Sequence, residues 1–153
     1  MCLNFIILQC TFIVLSNELL EKTDGNEIAS MVGDTNLFLN TDTSNEQSEH
    51  SAEIEIMVAE KSQRGKKIGV NALCMMINYG IEHLRINKFE AKIKCDNEPS
   101  IKLFKKLGFK EKSRSEVFKE ITFLLCGTDL SRFQNEISSS IALNTVISEY
   151  KHD

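Results

Sequence analysis

The sequence lacks the features that mark several common classes of protein. Its 18 Lys and Arg are outnumbered by 22 Asp and Glu, and the net charge of -4 argues against a general nucleic-acid binder. Its five cysteines are scattered without a C-x-x-C spacing, so neither a disulfide framework nor a metal site is indicated. The apolar start is interrupted by polar residues and has no basic leader, which favours a buried strand over a signal peptide or a membrane span. We therefore expect a cytoplasmic protein with reduced thiols and no membrane or nucleic-acid partner.

The hydrophobic patterning predicts one α/β (α+β) domain. A length of 153 residues with 42% hydrophobic content suits a single core, which we place over 5–126, with a polar, loosely ordered tail over 127–153 that forms at most one marginal helix. Periods of two and of three to four predict strands and helices, respectively. The predicted strands are 5–15, 31–39 (weakened or bulged at Gly33), 51–60, 88–93, 109–113 and 117–125; the predicted helices are 68–84 and 97–107, and polar loops are predicted over 16–30 and 40–51.

The strand predicted over 51–60 is the first part of a candidate site. Its alternation places Ile54, Ile56 and Val58 on the core face. Glu53 and Glu55 then share the opposite face with Met57. Two carboxylates on one strand face are either candidate general bases or only a solvated surface, and the sequence alone leaves both readings open.

A basic turn with two glycines joins this strand directly to the helix predicted from residue 68. The unpaired amides at a helix start, together with its positive dipole end, form an anion cradle, and glycine allows close approach of a ligand. The cradle residues are Arg64, Gly65, Lys66, Lys67, Ile68 and Gly69. A strand that leads into such a cradle predicts a ligand that carries a pyrophosphate, although clustered cations in a turn also occur in ordinary solvated loops.

Two motifs resemble those of the GCN5-related N-acetyltransferase (GNAT) superfamily. The segment RGKKIG at residues 64–69 resembles the coenzyme A loop R-x-x-G-x-G, and NEPSIKLFKKLGF at residues 97–109 resembles the signature N-x-x-S-x-x-L-F-x-x-x-G-F. The likeness extends over about residues 10–125 and is strongest to the RimJ/RimL-like branch, including members that acetylate the N-termini of α- and β-tubulin. It implies a mixed, mostly antiparallel sheet flanked by helices, with acetyl-CoA as co-substrate and a protein N-terminus as acceptor.

The resemblance also assigns roles to individual residues. It implies a catalytic base on the strand over 51–60, for which Glu53 is preferred and Glu55 is second. It implies that the backbone of Met57, Val58 and Ala59 pairs with the pantetheine arm, as an added strand would. Asn97 is interpreted as a helix N-cap, as a residue that fixes the cleft, or as both. Phe104 occupies the position of the tyrosine that protonates the departing thiolate in other members, and Asn97 and Phe104 are both expected among the coenzyme A-binding residues.

Two departures from the family pattern limit these expectations. Lys67 stands where the family loop has a second glycine, so the backbone there either keeps a negative φ or is strained. The family opens with a strand and two helices that precede the segment matched here, so we expect the acetyl-CoA half of the site to be present and the acceptor half to be incomplete. The alternative function is therefore a catalytically weak acetyl-CoA-binding or regulatory fragment. Cys95 is the alternative nucleophile, but no neighbouring histidine activates it, and we interpret it as an inert thiol.

Overall fold

Six strands form one sheet in the order β1-β2-β3-β4-β6-β5 in a computed structural model that describes residues 9–40 and 50–138. The strands are β1 (Gln9–Leu15), β2 (Met31–Asn40), β3 (Ser51–Val58), β4 (Lys88–Lys94), β5 (Lys110–Ser115) and β6 (Glu120–Cys126). All neighbouring strands are antiparallel except β3 and β4, which run parallel. The predicted mixed and mostly antiparallel sheet is thus confirmed.

The helices are α1 (Asn17–Lys22), α2 (Ile68–Leu84), α3 (Glu98–Lys106) and α4 (Gly127–Arg132). The chain also forms 3-10 turns at Ile28–Ser30 and Lys61–Gln63, and a π-helix at Phe133–Ser138. The bounds of α2 agree with the prediction. The bounds of α3 follow from its sequence, because Asn97 caps the first turn and Gly108, at φ 92°, stops the helix.

One face of the sheet carries the core. Alternate residues of β3, β4 and β6 are buried there, and helix α2 packs against β2 and β3. Gly80 of α2 lies so close to Phe89 of β4 that a Cβ atom would meet the ring at 3.0 Å. The other face, which we call the outer face, carries the charged residues of the same strands, including Glu53 and Glu55.

The polar segment 16–30 was predicted as a loop, and this prediction was wrong. It contains α1 and a 3-10 turn. The hydroxyl of Ser16 accepts a hydrogen bond from the Leu19 amide at 3.4 Å, and Lys22 pairs with Glu18 one turn earlier at 2.6 Å. A six-residue helix has no room for an apolar period, so its cap and ion pair were the only sequence signals for it.

Strand β2 continues through Gly33, where a weakened or bulged strand was predicted. Gly33 keeps its register with Val14 on one side and Val58 on the other, and the register shift lies just before it, between Gly33 and Met31. The bulge is therefore one step from the predicted position. Gly33 itself permits close contact, because a Cβ atom there would lie 1.9 Å from the Met57 carbonyl oxygen.

The part of the predicted tail that the structure describes is helical. Leu130 of α4 and Phe133 of the π-helix are buried in the core. Residues 139–153, together with the predicted strand start at 5–8 and the predicted loop at 41–49, lie outside the described residues. No helix in the described ranges is long and apolar enough to span a membrane.

Candidate functional site

Strands β3 and β4 part from one another in the middle of the sheet. They are paired only at Ser51–Lys88, Ala52–Phe89 and Glu53–Glu90. Beyond Glu53, β3 continues to Val58 beside β2, while β4 continues to Lys94 beside β6. The result is an opening between two strands in which one edge of β3 has no neighbouring strand among the described residues.

The hydrogen-bond phase of β3 identifies the backbone groups that face this opening. The N–H of Ala59 donates to the Val32 carbonyl opposite it at 2.8 Å, so Ala59 faces β2. Because antiparallel partners alternate along a ladder, Met57 and Glu55 also face β2, and Ile56 and Val58 face the opening. The Val58 carbonyl agrees with this phase, since it accepts a hydrogen bond from Arg64 Nε at 2.9 Å.

This phase changes the prediction made for residues 57–59. The N–H of Ala59 is already bonded within the sheet, and by the same alternation the backbone of Met57 faces β2. Val58 is the only one of the three whose backbone is directed towards the opening, and Ile56 joins it. Ile56 was missed because a sequence gives the period of a strand but not which neighbour each amide faces.

Buried polar contacts fix the position of the basic turn. The Ser16 hydroxyl lies 3.3 Å from Oε1 of Gln63, and both residues are buried. Glu60 closes the 3-10 turn by accepting from the Ser62 amide at 3.0 Å, and that hydrogen bond lowers the pKa of Glu60. The Ser16–Gln63 contact fixes the turn to the segment before α1, and the bond from Arg64 Nε to the Val58 carbonyl fixes it to β3.

The turn contains two residues with left-handed backbone conformation directly before the start of α2. Gly65 has φ 77°, and Lys67 has φ 65° at the N-cap. Lys67 therefore adopts the left-handed conformation that glycine favours, at a cost of about 1 kcal/mol. Of the two expectations for this position, a negative φ or a strained backbone, the structure shows the strained backbone. The first helical bond runs from the Asn71 amide to the Lys67 carbonyl at 3.0 Å, and Lys67 makes no side-chain cap. The preceding helical amides, Ile68 to Val70, are therefore without a helical acceptor, as expected of an anion-binding helix start.

The four cations of the turn differ in their surroundings. Arg64 is bonded to the Val58 carbonyl, and Lys66 pairs with Glu18 of α1 at 2.6 Å. Within residues 9–40 and 50–138, no acidic group pairs with Lys61 or Lys67. Lys67 is thus an uncompensated charge at the helix start. Lys66 was predicted to surround the pyrophosphate mainly through its N–H group, which stays a prediction, and its side chain pairs with a carboxylate in this structure.

Glu18 of α1 pairs with two lysines, Lys22 of the same helix and Lys66 of the turn. Hydrogen bonds from Lys22 and Lys66 lower the pKa of this exposed carboxyl from 4.5 to about 2. A lowered folded-state pKa means that the contribution to stability is complete above about pH 4.5 and is lost as the pH falls through about 2.

We predict that the Glu18 carboxyl remains ionised at pH 3 and that Lys66→Ala raises its pKa towards 4.5, because one of its two cationic partners is lost. A carboxyl carbon NMR titration measures both values. Lys61→Ala, which removes an unpaired cation of the same turn, is the matched control. An equal rise in that control would show that general charge, rather than the Lys66 contact, sets the titration.

The two candidate carboxylates of β3 have different environments. Glu53 is paired with Lys92 of β4 at 2.5 Å, and its side chain is 24% exposed. This hydrogen bond raises the pKa of Lys92. Glu55 is exposed, and it forms no ion pair with any described residue. Glu55 lies just past the point where β3 and β4 part, so β4 brings no lysine beside it as it does beside Glu53. Of the two carboxylates, only that of Glu55 has no cationic partner among the described residues.

The second motif stabilises α3 in this structure. Oδ1 of Asn97 accepts from the Ser100 amide at 3.3 Å, so Asn97 is a helix N-cap, and its second predicted role in the cleft stays a prediction. Phe104, predicted to contact the ligand, is only 3% exposed and packs edge-on against Phe109 at 5.0 Å between ring centroids. The ring lies in the core, as expected of an aromatic residue on the inner side of a short amphipathic helix, and its contact with the ligand stays a prediction.

The described cysteines are Cys10, Cys74, Cys95 and Cys126, and all four are free thiols. Burial raises the pKa of Cys74 to about 12 and also raises the pKa of Cys10. Cys95 lies 3.7 Å from Arg114 Nη1 at the end of β4. Among the described residues, no cluster of His, Cys, Asp and Glu could hold a metal ion.

The sequence matches a known family over most of this site. Residues 10–110 match the acetyltransferase (GNAT) domain family. Among curated proteins, an N-acetyltransferase 9-like protein of Nematostella vectensis is 54% identical over 74% of this chain and 56% of its own length. The alpha/beta-tubulin-N-acetyltransferase 9 of Homo sapiens is 48% identical over 76% of this chain and 55% of its own length. The chain thus spans about half the length of these relatives.

Solved structures share the fold. A spermidine N-acetyltransferase from Vibrio cholerae, in complex with CoA and spermine, superimposes with a TM-score of 0.63 at 17% identity, over 84% of this chain and 69% of that one. The Campylobacter jejuni N-acetyltransferase PseH, in complex with acetyl coenzyme A, gives a TM-score of 0.56 at 17% identity, over 78% of this chain and 68% of that one. These likenesses are to the fold.

Proposed function

This chain belongs to the acetyltransferase (GNAT) domain family, and we propose that it transfers the acetyl group of acetyl-CoA to the N-terminal amine of a protein. The observation that carries the proposal is the opening between β3 and β4, where the outward edge of β3 leads into an amide-bearing helix start. An extended, amide-rich ligand with a terminal pyrophosphate matches both parts. Acetyl-CoA has that form and supplies the acetyl group as a thioester.

The donor-binding residues follow from the free groups of the site. The backbone of Ile56 and Val58 would pair with the pantetheine amides in the manner of an added strand. The turn residues Gly65 to Gly69 would hold the pyrophosphate through their N–H groups, and Lys67 adds an unpaired positive charge there. The carbonyl of Val58 already accepts from Arg64, so Arg64 positions the strand end as well as contributing charge.

The acceptor amine must lose a proton, since an α-amino group has a pKa of about 8 and is largely protonated at neutral pH. We propose Glu55 as the general base, acting directly or through water. Its carboxylate has no competing cation in the described part of the chain, whereas Glu53 is paired with Lys92 at 2.5 Å. This choice reverses the order expected from the sequence. The departing thiolate would take its proton from water, because the position of the family's tyrosine is Phe104 and lies in the core.

Similarity to named relatives supports a tubulin N-terminus as the acceptor. Relatives from Homo sapiens, Mus musculus and Drosophila melanogaster, at 43% to 48% identity, are named alpha/beta-tubulin-N-acetyltransferase 9. A cytoplasmic location belongs to the same proposal.

The proposed function is tested by measuring coenzyme A release with two peptides of identical sequence from a tubulin N-terminus. One peptide has a free α-amine and the other is already acetylated there. We expect turnover only with the free amine, and acetylation mapped to that nitrogen by mass spectrometry. Acetyl-CoA binding without turnover on either peptide would contradict the proposal and favour the acetyl-CoA-binding fragment.

We predict that Gly65→Val weakens acetyl-CoA binding about tenfold, because a β-branched residue at φ 77° forces the turn to refold and moves the amides that follow. Isothermal titration measures the affinity. Gly69→Ala is the matched control, because a Cβ atom there meets its nearest neighbours at 3.7 Å, an ordinary contact. Equal affinities in the two variants would contradict the assignment of the turn to the pyrophosphate.

A further inference from the structure

Thr35 is a buried hydroxyl on the apolar face of the sheet. The described residues include four buried polar side chains, and the other three have structural partners. Ser16 and Gln63 bond each other beneath the basic turn, and Ser30 bonds the Asn26 carbonyl at 2.7 Å. Thr35 is 1% exposed and lies opposite Phe12 on one side and Ile56 on the other. A valine would fill this space without the cost of burying a hydroxyl.

The Thr35 hydroxyl donates a hydrogen bond to the backbone carbonyl of Glu55 at 2.8 Å. The alternation of hydrogen bonds between β2 and β3 indicates that the same carbonyl also accepts a bond from the backbone N–H of Asn36, the register partner of Glu55. The Glu55 backbone is therefore held twice. This second anchor lies just past Glu53, the last residue of β3 that is paired with β4.

We propose that Thr35 is a positioning residue that fixes Glu55 for proton transfer, an inference that rests on the proposed function of Glu55 as general base. At the opening, β3 has lost its β4 neighbour, and its outer-face side chains are supported from β2 alone. A hydroxyl bond from the buried face restrains the Glu55 backbone without contacting its carboxylate. The Glu55 carboxylate thus has no partner among the described residues, while the backbone of Glu55 is fixed.

Two substitutions separate the hydroxyl of Thr35 from its shape. Thr35→Val keeps the volume and removes the hydroxyl, whereas Thr35→Ser keeps the hydroxyl and removes a buried methyl group. We expect the thermal midpoint to fall in Thr35→Ser and to change little in Thr35→Val. We expect kcat to behave in the opposite way, falling about tenfold in Thr35→Val and less than about twofold in Thr35→Ser, because small displacements of a catalytic group slow the reaction strongly. The KM for acetyl-CoA should change less than kcat in Thr35→Val, since the pyrophosphate turn at residues 64–69 is untouched and only Ile56, the register partner of Thr35, lies in the donor site.

The experiment measures kcat, the KM for acetyl-CoA, the thermal midpoint and amide hydrogen exchange of β3 in the full chain and both variants. A kcat that follows the thermal midpoint, or an unchanged kcat in Thr35→Val, would overturn the inference by making Thr35 a purely structural residue. An unvarying exchange rate at residues 55–56 in Thr35→Val would overturn it as well. If the unsubstituted chain shows no turnover, the proposed function fails separately. Faster exchange at residues 55–56 in Thr35→Val alone would then still support the anchoring of Glu55.

Discussion

Replacing Gly33 with alanine should destabilise the protein by about 3 kcal/mol or more, a large effect for one methyl group. A Cβ atom at this position would lie 1.9 Å from the Met57 carbonyl oxygen and 2.9 Å from the carbonyl carbon. The obstacle is backbone rather than a flexible side chain, so no rotamer change can relieve it. Strands β2 and β3 must separate, and the bonds around Val58 and Ala59 must lengthen. The midpoint of urea unfolding measures the loss.

The same substitution should also weaken acetyl-CoA binding, since Gly33 is the register partner of Val58 at the opening. Titration at low temperature, where the variant remains folded, separates this effect from unfolding. Gly69→Ala is the control for stability, because a methyl group there meets only ordinary contacts and alanine favours a helix by up to about 1 kcal/mol. A urea midpoint for Gly33→Ala equal to that of the unsubstituted protein would show that the two strands can move apart at no cost.

The strand that carries the candidate site could be predicted closely, because its signals are local. The alternation of residues 51–58 and the cap and stop signals of α3 depend on neighbours in sequence, and both elements are found within two residues of their predicted bounds. Helix α1 could not be predicted from periodicity. Its six residues are held by Ser16 and by the Glu18 ion pairs, one of which reaches Lys66, 48 residues away in sequence.

The contacts of the candidate site residues were harder to predict than the position of the site in the chain. The sequence places Glu53 and Glu55 on one face, but it does not show that β4 arrives beside β3 and brings Lys92 to Glu53 across 39 residues. It also does not show that pairing with β4 stops at Glu53, or that the hydrogen-bond phase with β2 directs Ile56 rather than Met57 towards the opening. Phe104 was assigned by its place in a motif, whereas burial against Phe109 decides where its ring lies. The features of β3 are long-range and depend on strand register, whereas the position of Phe104 depends on how α3 packs against the core.

Replacing Glu55 with glutamine should lower kcat by about 10² to 10⁴, the usual contribution of a general base, with acetyl-CoA affinity unchanged. The amide is nearly isosteric with the carboxylate, so strand β3 and its bond from Thr35 should be preserved. Glu53→Gln is the matched control two residues away on the same face. It leaves Lys92 without its carboxylate partner and should change kcat by less than about tenfold, because exposed ion pairs contribute little.

The contrast between these two variants decides which carboxylate of β3 takes the proton. If Glu53 only joins β3 to β4 through Lys92, then Lys92→Met should resemble Glu53→Gln in both kcat and stability, since each removes one end of the same ion pair. If Glu53 were the base, Glu53→Gln would abolish turnover while Lys92→Met, which frees that carboxylate from its cation, would retain it. Turnover with saturating acetyl-CoA and a free α-amine peptide, measured for all three variants, gives the answer. A loss in Glu53→Gln as large as that in Glu55→Gln would return the catalytic role to Glu53, because an ion-paired carboxylate can act as a base only if its lysine moves away when the acceptor binds.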